Sequence, residues 1–229
     1  MRKSVNSALI TMVLLLAGVF YLQAQDVRNL SSFDELSVIG NIEVVLEKGT
    51  EEKAVIYAKN IDEDDISLSV KGNVLKLRLY KTVFRDDEEV KVEITYTTLR
   101  TIKGSAGAKV TNNSTLEGDK IVARAHSGAV VDLSLSVNAV DGASYEGSVL
   151  RLRGKTDTQE AVAATGGKYE ALNLDSNRTT VKANTGGEAE VVANESLRAS
   201  ANTGGRIDYK GDPEEKNTKT AFSGDINKV

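Results

Sequence analysis

Glu170, Glu190 and Asp208 each stand four positions after a glycine of a recurring pattern in this 229-residue chain. If the pattern stacks, the three carboxylates stack with it. A hard cation such as Ca²⁺, which takes several oxygen ligands, is the chemistry they would then support. Like charges at strand spacing repel, so something must offset them. Neighbouring side chains can do so without a metal. Two positions earlier, Lys168 and Arg206 stand around Glu188, and Asp132, Arg151 and Glu170 alternate in sign in their own column. The pattern therefore reads as an ion-paired, solvated face, with Glu170, Glu190 and Asp208 as a candidate cation or ligand face and no metal ligand assigned.

Other residue types suggest chemistry and then fail on spacing. Ser127 lies beside the chain's single histidine, His126, but no G-x-S-x-G elbow surrounds it. His126 shares its place in the pattern with Ala164, Asn184, Asn202 and Phe222, which reads as a surface corner. The segments Thr165-Gly166-Gly167, Thr185-Gly186-Gly187 and Thr203-Gly204-Gly205 resemble phosphate loops. A nucleotide cradle needs a helix N-terminus after the loop, and these lead into strand-like sequence. The acidic runs at 62–65 and 86–89 lack the glycine-punctuated order of a tight calcium loop and read as solvated loops. No catalytic residue is assigned and no cofactor is expected.

Composition narrows the field further. There is no cysteine, which removes disulfides, thiolate metal sites and cysteine catalysis. One histidine excludes a multi-histidine zinc site. Lys and Arg number 29 against 33 Asp and Glu, a balance that argues against a nucleic-acid partner. Proline occurs once and glycine 19 times, so Gly, Asn and Asp must make the turns.

What would position the candidate residues is a repeat. Glycines at 107, 128, 147, 166, 186, 204 and 224 align, at spacings of 21, 19, 19, 20, 18 and 20. Three positions before them stand Gly104, Ala125, Ser144, Ala163, Ala183, Ala201 and Ala221, all small. Three positions after stand Val110, Val131, Leu150, Tyr169, Ala189, Ile207 and Asn227, mostly apolar. Five after stand Asn112, Leu133, Leu152, Ala171, Val191, Tyr209 and Val229. Polar residues fall between, so each unit reads as a strand with one buried face. A unit of about nineteen residues cannot bury that face alone. Stacking coils at roughly 4.8 Å does so and pairs the backbone. The expectation is an all-β parallel solenoid, with a β-sandwich or barrel as the rival.

Residues 33–102 alternate more loosely, through Leu36-Val38, Ile42-Val44-Leu46, Ile66-Leu68-Val70, Leu75-Leu77-Leu79 and Val90-Val92-Ile94-Tyr96. They read as the cap that a solenoid end requires. Before them, Arg2 and Lys3 precede an apolar stretch from Ala8 to Leu22 and a small residue, Ala24. That order describes a secretory signal peptide, and about fifteen apolar residues fall short of a membrane span. Cleavage after Ala24 would leave 27 basic against 33 acidic residues, net −6. The expected layout is a signal peptide at 1–24, capping β segments at 25–102 and regular solenoid repeats at 103–229.

Three features carry a resemblance to a known family. They are Phe33-Asp34-Glu35-Leu36 through Gly40-Asn41-Ile42-Glu43-Val44, the recurring Ser/Thr-Gly-Gly-x-apolar repeat, and Ile207-Asp208-Tyr209-Lys210-Gly211-Asp212-Pro213 followed by Ser223-Gly224. The chain resembles the bacterial putative auto-transporter adhesin, head GIN domain family over about residues 27–229. The resemblance implies a right-handed parallel β-helix exported from the cell, and no reaction. The resulting expectation is a non-enzymatic binding or adhesion module of the cell envelope, in the periplasm, at the surface or secreted. Its partner would be a glycan or a cell-surface protein, with no membrane span once the leader is removed. A polysaccharide lyase-like β-helix enzyme and a purely architectural envelope protein are the alternatives.

Overall fold

The computed structural model describes residues 25–80 and 88–229. The apolar leader read at 1–24 and part of the acidic run at 86–89 lie outside the described residues. Strands form first as β1 (Gln25–Asn29), β2 (Glu35–Ile39), β3 (Glu43–Lys48), β4 (Lys53–Lys59), β5 (Ile66–Lys71), β6 (Val74–Leu79) and β7 (Glu89–Tyr96). The repeat region continues with β8 (Thr101–Ser105), β9 (Lys109–Asn112), β10 (Leu116–Ala125), β11 (Val130–Tyr145), β12 (Val149–Ala164) and β13 (Lys168–Asn184). It closes with β14 (Glu188–Val192), β15 (Ser196–Asn202), β16 (Arg206–Lys210), β17 (Glu215–Ala221) and β18 (Asp225–Lys228). From β8 onward every pairing is parallel, one coil on the next, and the chain is a β-solenoid.

The inward columns follow the sequence pattern. Val131 pairs with Leu150, Leu150 with Tyr169, Tyr169 with Ala189 and Ala189 with Ile207, and all five are buried. Gly104, Ala125, Ser144, Ala163, Ala183 and Ala201 form the small column. It lies near the tight corner, where the inner walls converge. A Cβ on Gly104 would already meet Val131 at 3.0 Å and Ala129 at 3.5 Å. Each buried Val, Leu or Ile side chain in such a column contributes about 1.5–3 kcal/mol, and the stacking makes the core continuous.

Each corner is a two-residue turn with positive φ at both central residues. Ser127 and Gly128, Thr165 and Gly166, Thr185 and Gly186, and Thr203 and Gly204 show it, each with φ near 50° then near 70°. This is the type I′ pattern. The turn closes on a backbone bond such as that from the Gly187 N–H to the Asn184 carbonyl, 3.0 Å. A β-branched Thr at φ > 0 is strained. The stack holds it there, because each turn bonds to the next: the Gly166 N–H donates to the Thr185 carbonyl at 3.2 Å and the Gly186 N–H to that of Thr203 at 3.1 Å. The residue after the turn presses on the preceding coil. A Cβ on Gly187 would lie 2.2 Å from the Ala163 carbonyl oxygen.

That close approach corrects the alignment of the final repeat. Phe222 and Ser223 hold the two positive-φ positions, and Gly224 lies beside Gly205, not beside Gly204. Glycine is retained there for proximity, since its Cβ would meet the Ala201 carbonyl oxygen at 2.1 Å. Ile226, not Asn227, therefore stacks on Ile207, and Lys228, not Val229, stacks on Tyr209. Thr220, not Ala221, stacks on Ala201, and Ala221, not Phe222, joins the His126 column.

The N-terminal region departs from a simple add-on. β2 and β3 pair in parallel with β6 and β7 on one side and with β8 and β9 on the other. They form a coil of the solenoid, with Leu36, Val38, Ile42, Val44 and Leu46 buried. Antiparallel strands β1, β4 and β5 lie outside it at that end. The alternation did not reveal β4, where Ala54, Val55 and Ile56 are buried in succession and the period of two is lost.

Candidate functional site

Glu170, Glu190 and Asp208 stand in one column on three adjacent coils, as paired positions of β13, β14 and β16. Their side chains are partly exposed on the outward face. Glu170 is bridged by Arg151, 2.6 Å away, and Arg151 also reaches Asp132 at 3.3 Å. The bonded Glu170 carboxylate holds the Arg151 guanidinium above its ordinary pKa. Asp208 is bonded by Arg206 at 2.9 Å within its own strand and by the Asn227 amide at 3.1 Å. Lys168 does not reach the acidic column and pairs with Glu188 at 3.1 Å. Glu190 has no ion-pair partner among the described residues.

Adjacent columns show how this face is built. Outward positions on successive coils alternate in sign: Glu43 with Lys109 at 3.3 Å, Asp132 with Arg151 and Arg153, and Lys168, Glu188, Arg206 and Asp225 in register. A second ladder runs along the bend of the coil, where Asp119, Asn138, Asp157 and Asn177 stack. The Asn138 amide donates to Asp119 at 2.9 Å and that of Asn177 to Asp157 at 3.0 Å, so the alternation of acid and amide satisfies itself. Among the described residues no group of three His, Cys, Asp or Glu side chains converges as a metal ion would require.

The His126 ring stacks on Tyr145 of the next coil, centroids 4.7 Å apart, and the Ser127 hydroxyl donates to Glu146 at 2.6 Å. The corner thus places His126 and Ser127 against different neighbours. Sequence reading missed two features. One is interior: Gln159 donates to the Tyr169 hydroxyl at 2.9 Å, and Thr179 bonds to Gln159 at 3.4 Å and to the Val192 carbonyl at 2.6 Å. Burial raises the Tyr169 pKa, which keeps the phenol neutral. The other is external: Lys182, Arg198 and Lys219 line one open depression with Thr180, Ser200 and Asn217. Lys182 and Lys219 share one column and Arg198 stands in the next, and only the register joins them.

The family model described as "Putative auto-transporter adhesin, head GIN domain" matches residues 32–213. Among solved structures, the fold is similar to that of a putative adhesin from Bacteroides fragilis, with TM-score 0.79 and 23% identity over 90% of this chain and 96% of that one. A putative adhesin from Parabacteroides merdae gives 0.72 and 18%, covering 90% and 95%. A "putative lipid binding protein" from Parabacteroides distasonis gives 0.69 and 17%, covering 90% and 96%. At these identities the likeness is one of fold. No curated protein sequence matches the chain.

Proposed function

The chain belongs to the putative auto-transporter adhesin, head GIN domain family, and we propose that it is an exported, non-enzymatic binding or adhesion module of the bacterial cell envelope. The observation that carries this reading is the outer surface itself. Outward side chains repeat in straight columns at one coil spacing, roughly 4.8 Å, around an interior filled by packed side chains. A flat face of repeated groups suits an extended, repetitive partner such as a glycan or a strand of a surface protein.

The lyase alternative asks for a walled groove that excludes water around a carboxylate and a base. Glu170, Glu190 and Asp208 stand on an open ladder, which supports binding over catalysis. The adhesin descriptions of the family and of two solved relatives point the same way. Export rests on the basic-then-apolar start, and N-terminal sequencing of native protein is expected to begin at Gln25. A start at Met1 in the cytosol would remove the envelope role. The decisive experiment is a screen of the purified protein against glycans and cell-surface extracts. Saturable binding of an extended polymer is expected. Turnover of a glycan substrate would replace this reading with the enzymatic one.

A further inference from the structure

Many charges elsewhere on the solenoid are offset by their neighbours. Lys103 meets Glu35 at 2.6 Å, Lys109 meets Glu43 at 3.3 Å, Arg124 meets Asp141 at 2.9 Å, and Arg151 bridges Asp132 and Glu170. One exposed depression gathers three cations that are not offset in this way. Lys182 on β13, Arg198 on β15 and Lys219 on β17 occupy three successive coils, since Thr180 pairs with Arg198, Lys182 with Ser200 and Ser200 with Lys219. All three are exposed, and none forms an ion pair among the described residues. Glu160, which the register places beside Thr180, and Glu215, two positions before Asn217, border the patch without bridging to it. The cations line one depression whose other polar side chains are Thr180, Ser200 and Asn217. In a chain with more acidic than basic residues, this is a local positive surface with no counter-charge of its own.

We infer that this depression is a binding site for a linear acidic glycan, whose carboxylate or sulfate groups take the place of the missing acids. The inference rests on the binding reading above and names its ligand class. Three parts of the geometry point to it. Lys182 and Lys219 lie in one straight column two coils apart, roughly 10 Å at strand spacing, with Ser200 between them. Anions held there must recur along an extended chain. Arg198 stands one column aside and can take a carboxylate or sulfate with its planar fork. The hydroxyls of Thr180 and Ser200 and the amide of Asn217 lie among the cations, which suits a partner that is itself rich in hydroxyls.

The test measures binding of polygalacturonate to the purified protein, with neutral dextran, polyglutamate and a single-stranded oligonucleotide as comparisons. Polygalacturonate should bind more tightly than all three, and its affinity should fall as salt rises. The triple variant Lys182→Gln, Arg198→Gln, Lys219→Gln should lose roughly ten- to a hundredfold in affinity, because each exposed ion pair contributes at most about fivefold. The control variant Lys168→Gln, Arg206→Gln, which removes cations already paired on another column, should bind as the wild type does. Since all three substituted residues are exposed, far-ultraviolet circular dichroism should be unchanged. Equal affinity of wild type and triple variant for polygalacturonate overturns the assignment. So does tighter binding of polyglutamate or the oligonucleotide. A neutral glycan or surface extract bound equally by both proteins also overturns it but leaves the binding reading standing. Failure to bind any partner removes both.

Discussion

Tyr169 fills space that Gly142 leaves open: a Cβ at Gly142 would lie 2.6 Å from its ring. Its hydroxyl is the acceptor for the buried Gln159 amide at 2.9 Å. Tyr169→Phe should therefore destabilise the protein by about 1–3 kcal/mol, because it leaves that amide unsatisfied. Urea unfolding measures this, and adding Gln159→Leu should recover part of the loss by removing the orphaned group. Unchanged stability in Tyr169→Phe would show that the bond contributes nothing. Ser223 offers the opposite case. It sits at φ 61°, where the six other corners have glycine. Left-handed backbone costs a non-glycine residue about 1–2 kcal/mol, while added glycine freedom in the unfolded chain takes back about 0.4–1 kcal/mol. Ser223→Gly should thus stabilise the last corner by up to about 1.6 kcal/mol, read as slower amide exchange in β17 and β18.

Among the elements, the column of Glu170, Glu190 and Asp208 on β13, β14 and β16 invites a direct measurement. Two of its three carboxylates already have cationic partners, Arg151 and Arg206. Exposed pairs of this kind contribute only about 0–1 kcal/mol each. Added Ca²⁺ should therefore leave the melting temperature nearly unchanged. A true cation site would instead stabilise by about 2.7 kcal/mol at a hundredfold excess over Kd. A Ca²⁺-dependent rise that disappears in Glu190→Gln would make the column a metal site and overturn the solvated-face reading.

For the molecule as a whole, a solenoid is stabilised coil against coil, so its ends should open before its middle. At the C-terminal end, β17 carries Lys216, Thr218 and Thr220 at positions that are inward on the coil before it, and all three are exposed. Native-state hydrogen exchange should find β17 and β18 fastest and the paired strands β11, β12 and β13 slowest. Uniform protection along the stack would contradict coil-by-coil stability. Lys228 bonds to Asp212 at 2.8 Å and lowers the Asp212 pKa below its ordinary value near 3.8. This depressed carboxylate stabilises above that value, and the contribution is lost as pH falls through the lower folded-state value. Acidification should accordingly lower the amide protection factors of β18 before those of β12.

The repeat was legible in the sequence because stacking gives each position the same surroundings in every coil. Small residues recur beside the corner, apolar ones recur inward, and glycine recurs where the turn needs φ > 0. Gly224 misled for the same reason: one residue type serves two needs in adjacent columns, and only the pairing of Gly205 with Gly224 separates them. The place of β2 and β3, between β6–β7 and β8–β9, was decided by tertiary structure. A strand's alternation says which face is buried and is the same whichever strand lies beside it. Partner choice among charges is non-local in the same way. That Arg151 meets Glu170, and that Lys182, Arg198 and Lys219 meet no acid among the described residues, depends on register and side-chain reach across coils 18 to 20 residues apart in sequence.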